Sequence, residues 1–411
     1  MSPRPLLRGA AALALATGLL AGCAAPSEPA ASPTPSDAAT GDGHGAVEGA
    51  AEVAEPQLQL VTLAPVGTVA SIDLLTEERA DIGSIGAPTA VATDGRYAFA
   101  TTDEGVEIVD SGMWTWDHVD HFHYYRGTPS ILGTVPGSGR AVVSTSNSST
   151  TGSTGVFFPE TGEAVLLDVE ALSQGEVRES FRLDLAPHAG LVAPLGEGGV
   201  VTVPDASGRV TAVQHRTSDG TAGETADCLD AAGAITTRVG LVIGCADGAL
   251  LVTAEGGSPV FERIPYPDGA GAPAATSFAN REGRPTVAGV TGEAGIWLID
   301  TRERSWTLVP TAVPVIAASA ADDEPGHVLA LDAEGRLRVL DETGAELAVT
   351  DPLVADPPAD AGAVQLTVDA QRAYLSSPAE GVVHEIDYAD GARIARTFDT
   401  PVGAFTVEVG R

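Results

Sequence analysis

From about residue 60 onward the chain repeats one phrase. A short apolar run meets a tight Gly/Asp turn, a second apolar run follows, and an acidic or glycine-rich turn closes the unit. Seven copies can be read. They are Ala90–Ser111, Ile131–Asn147 with Glu163–Val169, Leu191–Gln214, Ile235–Ala254, Pro285–Asp300 with Ser305–Pro310, His327–Thr350, and Val368–Phe398. The runs are about five residues long and do not follow a 3.6-residue period, which argues for strands over helices. Asp-Gly, Glu-Gly and Gly-Gly pairs supply the positive φ that tight hairpins need. Several strands per repeat of about 45 residues predict the blades of a β-propeller. The expected fold class is therefore all-β, a propeller of seven blades over residues 57–411, with six or eight left open. Leu58–Leu63 and Phe405–Val409 belong to no full copy. They are expected to share a closing blade, because an unclosed ring leaves an exposed edge.

The N-terminus has a different pattern. Arg4 and Arg8 precede a short apolar stretch, Gly9–Leu20, and the segment ends Leu20-Ala21-Gly22-Cys23. This resembles a bacterial lipobox, so residues 1–22 read as a lipoprotein signal peptide and Cys23 as the lipidated first residue of the mature chain. Residues 23–56 are rich in Ala, Pro, Ser, Thr, Gly and Asp and are expected to form a disordered tether. The folded part would then lie outside the cytoplasm, anchored by lipid to the outer face of the cytoplasmic membrane. In that oxidising setting Cys228 and Cys245, each beside a strand-like run, are expected to form a disulfide. A pair of metal thiolates is the alternative, but no CxxC spacing supports it.

Charge narrows the function classes. The chain has 22 basic residues, all arginine, against 56 acidic ones, a formal net charge of −34. Without lysine there is no Schiff-base or P-loop chemistry. Without clustered positive charge, nucleic-acid binding is not expected. GxSxG and HExxH are also absent.

One segment is chemically loaded. Of eight histidines, three lie in Asp117-His118-Val119-Asp120-His121-Phe122-His123-Tyr124-Tyr125. Imidazole is the commonest zinc ligand at neutral pH, and flanking carboxylates orient it or ligate directly. In an extended segment His121 and His123 share a face, while His118 has the other parity. The hydrophobic Met113-Trp114-Thr115-Trp116 should pack the segment onto the propeller. His188, in Pro187-His188-Ala189-Gly190, is expected to face the channel and meet the array. The predicted metal ligands are thus His118, His121, His123 and His188, with Asp117 or Asp120 as a further ligand or support. His384 reads as structural, His215 and His327 as surface positions, and His44 lies in the tether.

These residues resemble a known family, the periplasmic β-propeller zinc metallochaperones of the AztD type. The resemblance is carried by Val109-Asp110-Ser111-Gly112, the DHxDHxHYY run, the His188 loop, the Cys228/Cys245 pair with Gly244-Cys245-Ala246-Asp247-Gly248, and His384-Glu385-Ile386-Asp387. It implies a monomeric, non-enzymatic protein that binds Zn²⁺ and delivers it to the solute-binding protein of a zinc ABC transporter. The chain departs from the family pattern in lacking a His-rich N-terminal segment and a histidine shortly after Cys228. The competing readings are a secreted propeller enzyme, lactonase or quinoprotein-like, and a cell-surface binding scaffold.

Overall fold

The computed structural model describes residues 45–117, 121–255, 258–292, 295–355, 357 and 364–411. Cys23, His44, His118 and Asp120 lie outside these. The described chain forms eight four-stranded antiparallel sheets and one three-stranded sheet. Blade 1 joins the two ends of the chain, with Phe405–Val409 beside Gln59–Leu63, Thr68–Asp73 and Arg79–Ser84. Blade 2 comprises Ala90–Thr93, Tyr97–Thr102, Gly105–Asp110 and Ser130–Pro136. Blades 3 to 8 follow in chain order, starting at Val142, Val192, Ala234, Ser277, Val315 and Leu366.

Burial explains why these segments become blades. The second strands are covered on both faces, as in Tyr97–Thr102, Ser153–Phe158 and Leu241–Cys245, where every residue is buried. They therefore read as continuous apolar or small-residue runs. Fourth strands such as Arg79–Ser84 and Ala222–Asp227 face solvent and carry charge. Eight apolar clusters fill the eight gaps between neighbouring blades. Val61, Val91 and Val407 join blades 1 and 2, and Phe99 and Val165 join blades 2 and 3. Leu166 with Val201, and Val213 with Ile243, fill the next two gaps. Leu251 with Trp297, Ala288 with Ala330, and Leu331 with Leu375 continue the series. Leu60 and Ile72 against Tyr374 and Phe398 close the ring between blades 8 and 1.

The propeller fold is as expected, and so is the shared closing blade, but the blade count is eight and not seven. The seven sequence copies seed blades 2 to 8, although the second copy begins in the outer strand of blade 2, and the closing blade is additional. Its copy is hard to see because its outer hairpin has no Gly pair. There Asp73 caps the turn by accepting from the backbone N–H of Leu75 and Thr76, both at 2.9 Å, and Glu77 takes the positive φ of 61°.

Two boundaries also differ from expectation. Residues 45–56 are not a free tether: Ala51–Val53 is a strand of the three-stranded sheet. The histidine segment, which falls between the first two sequence copies, belongs within one blade. It is a hairpin, Met113–Asp117 and Phe122–Arg126, inserted between the third and fourth strands of blade 2. The Cys228–Cys245 disulfide is present, with Cα atoms 5.2 Å apart, and ties the approach to blade 5 to the end of its second strand.

Candidate metal centre

The hairpin is built on its aromatic base. Trp114 is buried and stacks on Tyr125 at 5.1 Å between ring centroids. The Arg96 guanidinium lies 3.9 Å over the Trp114 ring and is held there by two bonds to Asp110, at 3.0 and 2.7 Å. Stacking and cation–π contacts of this kind fix the ring plane as well as its burial. Thr115 bonds the end of the closing strand through its hydroxyl to Gly410 O at 3.0 Å and its N–H to Arg411 O at 3.4 Å. Asp117 forms an ion pair with Arg238, which sits on the loop between the first and second strands of blade 5. The hairpin is thus braced from blades 1, 2 and 5, and Asp117 serves as a brace.

At the tip His121 Nε2 and His123 Nε2 are 2.9 Å apart. The shared face expected from strand parity is realised. His123 Nδ1 lies 2.7 Å from Glu52 Oε1. A carboxylate can only accept, so Nδ1 carries the proton and Nε2 presents its lone pair toward His121. This carboxylate–histidine arrangement is the one that supports metal-ligating imidazoles. Two nitrogens bound to one zinc at about 2.0–2.1 Å in tetrahedral geometry lie about 3.3 Å apart. The present separation is close to that value, and chelation would further require the proton between the two nitrogens to leave and both lone pairs to turn toward one point. Among the described residues no group of three or more His, Cys, Asp or Glu side chains converges on one point. His118 and Asp120 lie outside them.

No protein-family model matches the chain. Solved structures do. Citrobacter koseri AztD superposes with a TM-score of 0.74 at 20% identity, covering 86% of this chain and 98% of that one. Apo AztD from the same organism gives 0.72 at 19% identity with the same coverage. The fold is that of AztD. The dihydro-heme d1 dehydrogenase NirN, in complex with DHE, is more distant, with a TM-score of 0.55 at 18% identity over 87% of this chain and 76% of that one. Likeness at these identities is likeness of fold, and one propeller fold carries many functions.

Within this AztD-like fold the structure separates His188 from the array. Strands alternate in direction, so the turn between third and fourth strands opens on one face of the propeller and blade-to-blade connectors open on the other. The hairpin is on the first face; His188, between blades 3 and 4, is on the second. It is 6% exposed, and both its ring nitrogens have partners: Nδ1 is 2.7 Å from Ala186 O and Nε2 is 2.8 Å from Thr202 Oγ1. Phe157 packs edge-on against the ring at 4.8 Å. The expected channel-crossing ligand is a structural residue in this arrangement. His384 is also structural, and burial lowers its pKa. His327 is not a surface residue: it is buried, with Nδ1 2.6 Å from Asp323 Oδ2. Glu52 and Arg238 were not legible from the sequence, because each meets the hairpin only through the tertiary fold.

Proposed function

We propose that this protein binds zinc at the tip of the blade 2 hairpin and passes it to an acceptor protein outside the cytoplasm. The observation that carries the reading is the His121–His123 nitrogen pair with Glu52 behind His123. The sequence offers His118, or one of Asp117 and Asp120, as candidates for a further ligand. Choice of zinc rests on the resemblance carried by the DHxDHxHYY run, since copper(II) would bind imidazoles more tightly. The AztD-like fold supports the same reading. Imidazole ligands bind metal in competition with protons, so such a site holds its metal less tightly in acid and releases it slowly at neutral pH. Delivery at neutral pH therefore needs an incoming ligand set. The acceptor we propose is the solute-binding protein of a zinc ABC transporter, reached by a chain anchored through Cys23 at the same membrane face. The acidic surface would favour cation capture.

Metal analysis of untagged protein tests the reading. About one zinc per chain is expected, abolished in His121→Ala/His123→Ala. Zinc-loaded protein mixed with the apo acceptor and an excess of chelator should transfer faster than the chelator strips the protein alone. Undiminished zinc in the double variant would overturn the site. Transfer no faster than spontaneous loss would reduce the protein to a zinc store.

A further inference from the structure

The segment that carries Glu52 is lightly held. Ala51–Val53 pairs with the hairpin edge through three residue pairs, Ala51 with Arg126, Glu52 with Tyr125 and Val53 with Tyr124. Ala51 and Glu52 are exposed. Upstream, the chain is fastened by the Trp114 indole N–H, which donates to Gly45 O at 3.0 Å, and by contact with Trp116. That contact is so close that a Cβ at Gly45 would lie 2.4 Å from Trp116 Cγ. Between these fastenings residues 45–50 border a cleft of about 1000 Å³, walled on its far side by Thr150, Glu170 and Ser173 of blade 3. Within this stretch Ala46, Glu48 and Gly49 are exposed. By contrast His123 is well shielded, its side chain 16% exposed against 53% for Glu52.

We propose that Ala51–Val53 is a detachable strap and that Glu52 on it is a positioning residue that sets the metal affinity of His123. This rests on the metal reading above. With the strap docked, Glu52 holds the Nδ1 proton and aims the Nε2 lone pair at the site. With the strap lifted, the imidazole loses the acceptor that holds its Nδ1 proton. Partners of this kind change metal affinity by about 10–100-fold. A three-residue edge strand, preceded by a stretch that borders an open cleft, can separate without disturbing the propeller, because short edge pairs contribute little cooperativity. Binding and release are thereby linked to a segment that leads directly into the N-terminal region, so a pull or a competing contact there would reach the metal.

The test uses the full chain and zinc with a competing chelator. Glu52→Gln should bind zinc about 10–100-fold more weakly, while thermal unfolding of the metal-free protein stays unchanged. A second variant, Ala51→Cys/Arg126→Cys, places two cysteines on directly paired residues, within disulfide reach. Its oxidised form should release zinc to excess chelator about tenfold more slowly than its reduced form. The two single-cysteine variants and the wild-type chain under the same reductant are controls. Equal release from oxidised and reduced forms would overturn the detachable strap. Full affinity in Glu52→Gln, with zinc lost in His121→Ala/His123→Ala, would overturn the role of Glu52 and leave the metal site standing. Zinc retained in the histidine double variant would overturn the metal site itself.

Discussion

Beneath the hairpin, the end of the closing strand buries more negative charge than it neutralises, and this makes a pH-dependent prediction. Glu408 is 1% exposed, pairs across the sheet with Leu60, and has Oε2 2.9 Å from Arg411 Nε. Neither of its carboxylate oxygens has a hydrogen-bond partner among the described residues, the Arg411 contact being an ion pair only. Desolvation pushes its pKa up from 4.5 to about 8; Arg411 opposes this, and Asp369 and Glu282 add to it. Asp94 is pushed up to about 7 chiefly by burial, and Glu282 and Asp369 are raised for the same reason. Glu408 therefore keeps its proton at neutral pH in the folded chain and loses it in the unfolded one. Between pH about 4.5 and about 8 the unfolded state has released a proton that the folded state retains, so stability falls as pH rises. The slope is at most about 1.4 kcal/mol per pH unit, with a total of about 5 kcal/mol above the window and none below it. Glu408→Gln is isosteric with the protonated acid and removes this titration. Its stability relative to wild type should rise from pH 5 to pH 8 and level off above. At about 2.1 cal/mol/K per residue, the full effect is a Tm gain of about 6 °C. Thermal unfolding of metal-free protein from pH 5 to 9 reads this directly. A difference that is constant across the range, or that shrinks as pH rises, would refute the buried protonated state.

Two further predictions separate structural from metal-binding residues. Reducing or removing the Cys228–Cys245 bond, which spans 17 residues of sequence, should cost about 3 kcal/mol and about 4 °C in Tm, with zinc stoichiometry unchanged because the bond and the hairpin are on opposite faces; zinc loss in the refolded Cys228→Ala/Cys245→Ala variant would contradict this. His188→Ala should destabilise by about 2–4 kcal/mol through its lost buried hydrogen bonds and packing, measured by denaturant titration, and still bind zinc; a stable variant without zinc would restore His188 as a ligand.

What the sequence revealed, and what it hid, follows from the range of each interaction. The blades were legible because a middle strand such as Leu241–Cys245 and its Asp-Gly turn are local features, repeated in each unit. Blade 1 escaped the repeat count because its outer turn uses the Asp73 cap, and one of its four strands comes from the opposite end of the chain to the other three. The His121/His123 pair was legible from strand parity alone. Glu52 was not, since it meets His123 across 71 residues and only after a strand of unremarkable composition joins the hairpin edge. His188 was misplaced for a different reason. A loop that enters a blade and a loop that turns within one look alike in sequence, and only strand direction assigns them to opposite faces.

The position of the hairpin also has a physical cause. An isolated two-stranded hairpin is marginal in water, and this one gains order from outside itself. Trp114 takes Arg96 on one face and Tyr125 on another, Thr115 bonds the last turn of the closing strand, and Asp117 reaches Arg238 on blade 5. The closing strand is fixed in turn by Gly410, whose N–H bonds Gly95 O at 2.6 Å. Gly95 has a φ of 89°, and a Cβ there would crowd Arg411 Cγ and Glu282 Oε2 at 3.0 and 3.1 Å. Only glycine lets the blade 2 turn approach the arginine that partly neutralises Glu408. Closure of the ring and placement of the histidines are therefore one structural event. A chain that failed to seat Phe405–Val409 would lose the Thr115 anchor together with the first strand of blade 1. The imidazole pair would then lose the fixed geometry that two adjacent histidines on a free hairpin cannot keep by themselves.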